Sequence, residues 1–145
     1  MKARAAVAWA PKQPLSIEEL DVEGPRKGEV LLKVIASGVC HTDAFTLSGD
    51  DPEGAFPAIL GHEGAGVVEE VGEGVKGIQA GDHVSLSWAP NCGDCFYCLN
   101  GRPCLCSAYI EPIWAGTLMD GTPRLSLGGK PVYHYSALAC FADQA

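Results

Sequence analysis

The chain has 145 residues, 47% of them hydrophobic and 19% charged, with a formal net charge of −8. That length can bury a real core, and the composition excludes a disordered chain. The acidic balance argues against nucleic acid and anionic membranes as partners, and no apolar run approaches a bilayer span.

Taken in order, short apolar segments recur between Gly- and Pro-rich turns, with little helical periodicity, which is the pattern of a mainly β domain. Arg4–Trp9 and Leu15–Val22, separated by Pro11-Lys12-Gln13-Pro14, read as a hairpin. The apolar stretch Ala5–Ala10 is cut by Pro11 and has no cleavage pattern behind it, so it reads as a strand and not a signal peptide. Glu29–Ala36, Gly64–Val71 and His83–Trp88 read as further strands. One short helix is predicted over Cys40–Leu47, with Ser48-Gly49 as its stop. Gly116–Gly129 is turn-rich, and Val132–Phe141 has room for a last strand or two. The whole of 1–145 reads as one domain carrying a cysteine-rich lobe at 91–107.

Five of the seven cysteines fall within sixteen residues. Cys92, Cys95, Cys98 and Cys106 are spaced Cys-x2-Cys-x2-Cys-x7-Cys, which suits a closed tetrahedral zinc site. Cys104 competes with Cys106 for the fourth place. An iron–sulfur cluster is the rival, but the bacterial ferredoxin run has three residues before its last Cys and a Pro after it, and here Ser107 follows. An odd number of cysteines at ligand spacing fits a reducing compartment, so a cytoplasmic protein is expected.

A closed site does no chemistry, so a second one is sought. Cys40 begins the predicted helix, whose positive end favours a metal-ligating thiolate. His62, in Gly61-His62-Glu63-Gly64-Ala65-Gly66, would supply an imidazole to the same ion, as in open catalytic zinc sites. The plainer reading is a buried Cys and a structural His. Glu63 would orient a ligand or bind metal transiently, Asp43 would accept the free ring N–H of His62, and Thr42 would pass a proton. Gly72-Glu73-Gly74-Val75-Lys76-Gly77 matches the dinucleotide fingerprint G-x-G-x-x-G. It lacks the following helix and the later acidic residue, so it reads as a turn.

Gly38-Val39-Cys40-His41-Thr42-Asp43, Gly61–Gly66, Gly81-Asp82-His83-Val84 and the four-Cys lobe occur in the order and spacing of a known family. Together they resemble the N-terminal, GroES-like domain of zinc-dependent medium-chain alcohol dehydrogenases, over nearly the whole chain. Ala5–Trp9, Pro14–Glu19 and Asp51–Gly54 look closest to the class III branch, which oxidises the glutathione adduct of formaldehyde. The resemblance implies a GroES-like, partly open β-barrel with short helices. It implies that Cys40 and His62 hold a catalytic zinc, with Glu63 nearby, and that Cys92, Cys95, Cys98 and Cys106 hold a structural one. It further implies that Thr42 takes the substrate proton, His41 touches the pyrophosphate of NAD(P), and Trp88 lines the substrate pocket.

The family's third catalytic-zinc ligand and its nucleotide-binding domain would lie beyond this chain, so as given it is expected to be incomplete. Phe45 stands where many members have His or Tyr at the outer end of the proton relay. Ile110, followed by Glu111, stands where class III members have an Arg that grips the adduct. An apolar residue beside an acid is a poor anion site, so a small alcohol or aldehyde is expected as substrate, with the glutathione adduct as the alternative. A truncated, non-catalytic zinc module is the rival reading of the isolated chain. A homo-oligomer is compatible with the family.

Overall fold

The computed structural model describes residues 1–145. Strand periodicity builds its first hairpin: β1 (Lys2–Ala8) turns Ala3, Ala5 and Val7 inward and pairs antiparallel with β2 (Ser16–Val22), setting Arg4 opposite Glu19. The helix α1 (His41–Ser48) follows β3 (Val30–Ser37). The two-residue strand β4 (Ala58–Ile59) comes next, then β5 (Gly64–Val71) and β6 (His83–Ser85). The later elements are α2 (Phe96–Leu99), α3 (Ile110–Ala115), β7 (Leu125–Leu127) and β8 (Lys130–His134).

Five strands close on themselves in the order β1-β2-β7-β8-β4, with β4 parallel to β8 and antiparallel to β1. Closure leaves no unpaired strand edge to manage. Small and branched side chains, among them Ala3, Ala5, Val7, Ile59 and Val132, fill the interior. The remaining strands form a sheet in the order β3-β5-β6. Bulges between Leu31 and Leu32 and between Val34 and Ala36 bend β3 across β5. At this crossing a Cβ on Gly66 would overlap the Lys33 carbonyl oxygen, so only glycine lets the two backbones meet.

Residues 141–145 join the two sheets. On one side Ala6 N–H donates to the Phe141 carbonyl and Asp143 N–H to that of Arg4. On the other, Val34 N–H donates to the Asp143 carbonyl, and Leu32 and Ala145 exchange N–H···O bonds. The seam is therefore hydrogen-bonded backbone.

The expected mainly β barrel with short helices is the observed architecture. The predicted helix is present, ended by Gly49 at φ 81°, the left-handed conformation a Gly stop requires. The fingerprint-like glycines form a turn after β5, with no helix behind them. Two expectations were too long. β6 stops at Ser85 and not Trp88, because Leu86 bonds to Gly64, the residue where β5 begins, and no strand lies beyond it. Val132–Phe141 does not continue as strand, because Ser136, Ala137 and Ala139 all take positive φ and curl the chain after His134. β7 lies inside the segment read as turns, and α2 and α3 were not foreseen.

Candidate metal centres

The cysteine lobe brings Cys92, Cys95, Cys98 and Cys106 together, while Cys104 is exposed and lies outside the group. Sγ separations are 3.5 Å for Cys95–Cys98, 3.8 Å for Cys95–Cys106 and 3.9 Å for Cys92–Cys98. Four thiolates at zinc–sulfur bond length in a tetrahedron lie about 3.8 Å apart, so the residues fit the ion. Backbone amides converge on the same sulfurs: Asp94 and Cys95 N–H donate to Cys92 Sγ at 3.4 and 3.3 Å, and Cys92 N–H donates to Cys106 Sγ at 3.3 Å. Hydrogen bonds from the Cys98 and Ser107 backbone hold the Cys95 thiol down at about 6, whereas desolvation pushes Cys98 up to about 11. Thiols this close lose protons in steps, and a dication lets all four be thiolate together.

The second group is Cys40, His62 and Glu63, whose ligand atoms all lie within 4.8 Å of one another. Cys40 is the N-cap of α1, and its backbone N–H donates to Asp43 Oδ2 at 3.0 Å, half of a capping box. The other oxygen, Asp43 Oδ1, accepts from Gly61 N–H at 2.9 Å and stands 3.3 Å from His62 Nδ1. One buried carboxylate thus ties the start of the helix to the loop that carries His62. The His62 contact is close but misaligned, and buried Nδ1 has no hydrogen-bond partner. A Cβ on Gly38 would overlap Glu63 Oε2, so this glycine makes room for the carboxylate beside the group. A Cys, a His and a carboxylate are a donor set that suits zinc.

Around this pair the structure places the other predicted residues unevenly. Thr42 Oγ1 lies 3.0 Å from Cys40 Sγ. His41 is exposed at the first position of α1, and Phe45 lies exposed on the same helix. Trp88 is exposed on the loop after β6. Cys140 is buried against Gly64, where burial raises its thiol to about 11; it is a core residue outside the Cys40 group. Sequence reasoning missed Tyr135 and Thr46. The Tyr135 ring meets His62 edge-on at 5.5 Å, and its Oη lies 3.0 Å from Thr46 Oγ1. Nothing local in the sequence flags a tyrosine that meets His62 only through tertiary folding.

A cavity of about 290 Å³ lies elsewhere, lined by Leu31, Leu86, Tyr109, Met119 and Leu138 among others, and no member of either metal group borders it. Its one arginine, Arg124, is already paired with Glu29 and Asp120. No helix is long and apolar enough to cross a membrane.

Comparison with known proteins places this geometry in context. A family model described as the alcohol dehydrogenase GroES-like domain matches residues 26–135. The chain is 57% identical over 143 residues to an S-(hydroxymethyl)glutathione dehydrogenase of Escherichia coli O1:K1, covering 99% of this chain and 39% of that protein. Among solved structures it resembles an alcohol dehydrogenase zinc-binding domain protein from Burkholderia ambifaria, with TM-score 0.91 and 41% identity over 100% of this chain and 39% of that one. It also resembles benzyl alcohol dehydrogenase from Acinetobacter calcoaceticus, with TM-score 0.88 and 35% identity over 100% of this chain and 38% of that one. The chain thus spans about two-fifths of the length of the proteins it matches, and it belongs to the alcohol dehydrogenase GroES-like domain family.

Proposed function

We propose that this chain is the metal-holding catalytic domain of a cytoplasmic, zinc-dependent alcohol dehydrogenase. The reaction is oxidation of a primary alcohol to an aldehyde, or its reverse, with hydride passing to or from NAD or NADP. The nucleotide-binding domain and the third Cys ligand would belong to the part of the relatives that this chain does not cover. The observation that carries the reading is the convergence of Cys40, His62 and Glu63 within 4.8 Å, in a chain that holds a separate four-cysteine group.

Cys92, Cys95, Cys98 and Cys106 would hold a structural zinc, and Cys40 with His62 a catalytic one. A catalytic zinc acts as a Lewis acid that makes an alcohol oxygen more acidic. Thr42 Oγ1, beside Cys40, is the group to receive the hydroxyl proton. With Phe45 on the same helix the proton has no side-chain route through that position, so it leaves by solvent. Asp43 orients His62 by facing Nδ1, and Glu63 gives the site a second carboxylate. His41, exposed at the helix start, is the contact for a cofactor pyrophosphate. Trp88 offers an apolar surface to the substrate.

The names of the E. coli relatives favour a second reading, in which the substrate is S-(hydroxymethyl)glutathione. Against it, Ile110 opens α3 as an exposed apolar residue followed by Glu111, with no cation at that point to meet the adduct's carboxylate. The test is NAD(P)-linked turnover by the chain extended C-terminally through a nucleotide-binding domain, assayed with primary alcohols and with the adduct. Two zinc ions per chain are expected, with higher kcat/KM for a plain alcohol. His62→Ala should cost more than the roughly 100-fold that marks loss of an outer partner. An extended protein that holds one zinc and shows no turnover would leave the chain as a zinc-binding module, and turnover that survives His62→Ala would remove His62 from the catalytic site.

A further inference from the structure

His62 is placed by more than its neighbours in sequence. Its side chain is 10% exposed, its Nδ1 has no aligned partner, and Asp43 alone therefore does not lock the ring. Beyond Asp43 and the Cys40 and Glu63 ligand atoms, the imidazole meets the Tyr135 ring, edge-on at 5.5 Å with an interplanar angle of 60°. Tyr135 sits in the short 3-10 turn after β8, far from α1 in sequence but against it in the fold.

The phenol is itself held. Thr46, one turn beyond Thr42 on α1 and 1% exposed, donates its hydroxyl to Asp51 Oδ2 at 2.6 Å. With its proton committed there, Thr46 Oγ1 is left as acceptor for Tyr135 O–H at 3.0 Å. Asp51 is fixed in turn, its Oδ1 accepting from Glu53 N–H at 3.0 Å.

We propose that Asp51, Thr46 and Tyr135 form a positioning chain that sets the plane of the His62 imidazole, presenting Nδ1 to Asp43 and leaving Nε2 for the metal. None of the three is a catalytic residue; they act through His62. The inference rests on the metal reading of Cys40 and His62, but its first readout does not.

The experiment is NMR of the histidine ring protons and nitrogens in the 145-residue chain with zinc in the cysteine lobe. The variants are Tyr135→Phe, Thr46→Val and Thr46→Ser, each checked by backbone amide spectra for an intact barrel. In the parent, His62 is expected to give one sharp set of ring signals shifted by the Tyr135 ring. Tyr135→Phe keeps the ring but loses the hydroxyl, and Thr46→Val loses the acceptor; both should broaden or displace those signals while His83 and His134 stay unchanged. Thr46→Ser, which keeps the hydroxyl, should restore them. A second readout is cobalt(II) affinity outside the cysteine lobe, expected to fall roughly tenfold in Tyr135→Phe and Thr46→Val. His62 signals unmoved in both variants would overturn the positioning chain. No cobalt bound outside the lobe, even by the parent, would instead count against the metal reading, with the ring signals still deciding the positioning.

Discussion

His134 shows how burial turns one side chain into a pH-sensitive part of the fold. It ends β8, is 4% exposed, and accepts the Arg124 backbone N–H on Nε2 at 3.0 Å. Burial lowers it from 6.5 to about 4, opposed first by the Leu138 backbone and then by the Glu29 charge, with the Arg124 charge adding to the lowering. Because the folded value lies below the unfolded one, the unfolded chain binds more protons between those limits. Stability is full above about pH 6.5 and declines as pH falls toward 4, by about 3 kcal/mol at the lower end. Asp120 adds to acid lability only further down. Burial raises it, but hydrogen bonds from Arg124, Thr122 and Arg26 outweigh that and hold it below the carboxylate range. Urea midpoints at pH 7 and pH 4.5 should therefore differ clearly in the parent and much less in His134→Gln. Equal shifts in both would remove His134 as the cause. This residue, like Tyr135 and Thr46, was invisible in the sequence. Cys40 and His62 stood out because glycines and a helix start surround them, whereas His134 sits in a plain run of strand residues.

At the level of elements, what was legible depended on whether the signal is local. The cysteine spacing is local, since short gaps between ligands force them toward one centre, and the structure brings Cys92, Cys95, Cys98 and Cys106 together. The helix α1 was legible from its ends, Cys40 and Gly49. α3 was not, because Pro112 lies inside it and it runs for six residues. β4 was not, because two residues carry no periodicity and their pairing with β1 and β8 is tertiary. The lobe's own elements are similarly short, α2 having four residues, none of them buried. With so little apolar burial, the lobe should owe its order to the metal. Removing zinc with a chelator is expected to collapse the amide signals of residues 91–107 while those of the barrel persist. Cys106→Ser should lose zinc under mild chelation, and Cys104→Ser should retain it like the parent. If the lobe signals survive complete metal removal, its order comes from packing instead.

On the scale of the whole molecule, the class of fold was readable from turn-punctuated apolar segments, but its closure was not. The barrel closes through β2–β7 and β4–β8 contacts between residues about 75 to 105 positions apart, which no local pattern encodes. A charged network braces that long-range arrangement. Arg124, just before β7, donates Nε and Nη2 to the two oxygens of Glu29, just before β3, at 2.9 and 2.6 Å. Its Nη2 also reaches Asp120 at 2.8 Å, and Asp120 accepts from Arg26 at 2.6 Å. The Arg124 side chain is 5% exposed and that of Glu29 18%, so the pair ties the barrel to the three-stranded sheet with little help from water. Removing one partner of a buried pair leaves the other charge uncompensated, which costs more than the pair itself contributes. Arg124→Met should therefore destabilise the chain by about 3 kcal/mol, at the lower end of the usual range because Glu29 keeps some contact with water. Replacing Glu29 by Gln in the same chain relieves the stranded carboxylate, so the double variant should be more stable than Arg124→Met alone. Chemical denaturation of the parent, the two single variants and the double variant measures the coupling. Strict additivity would mean that Arg124 and Glu29 hold their positions independently of each other, and that their pair does not brace the two sheets.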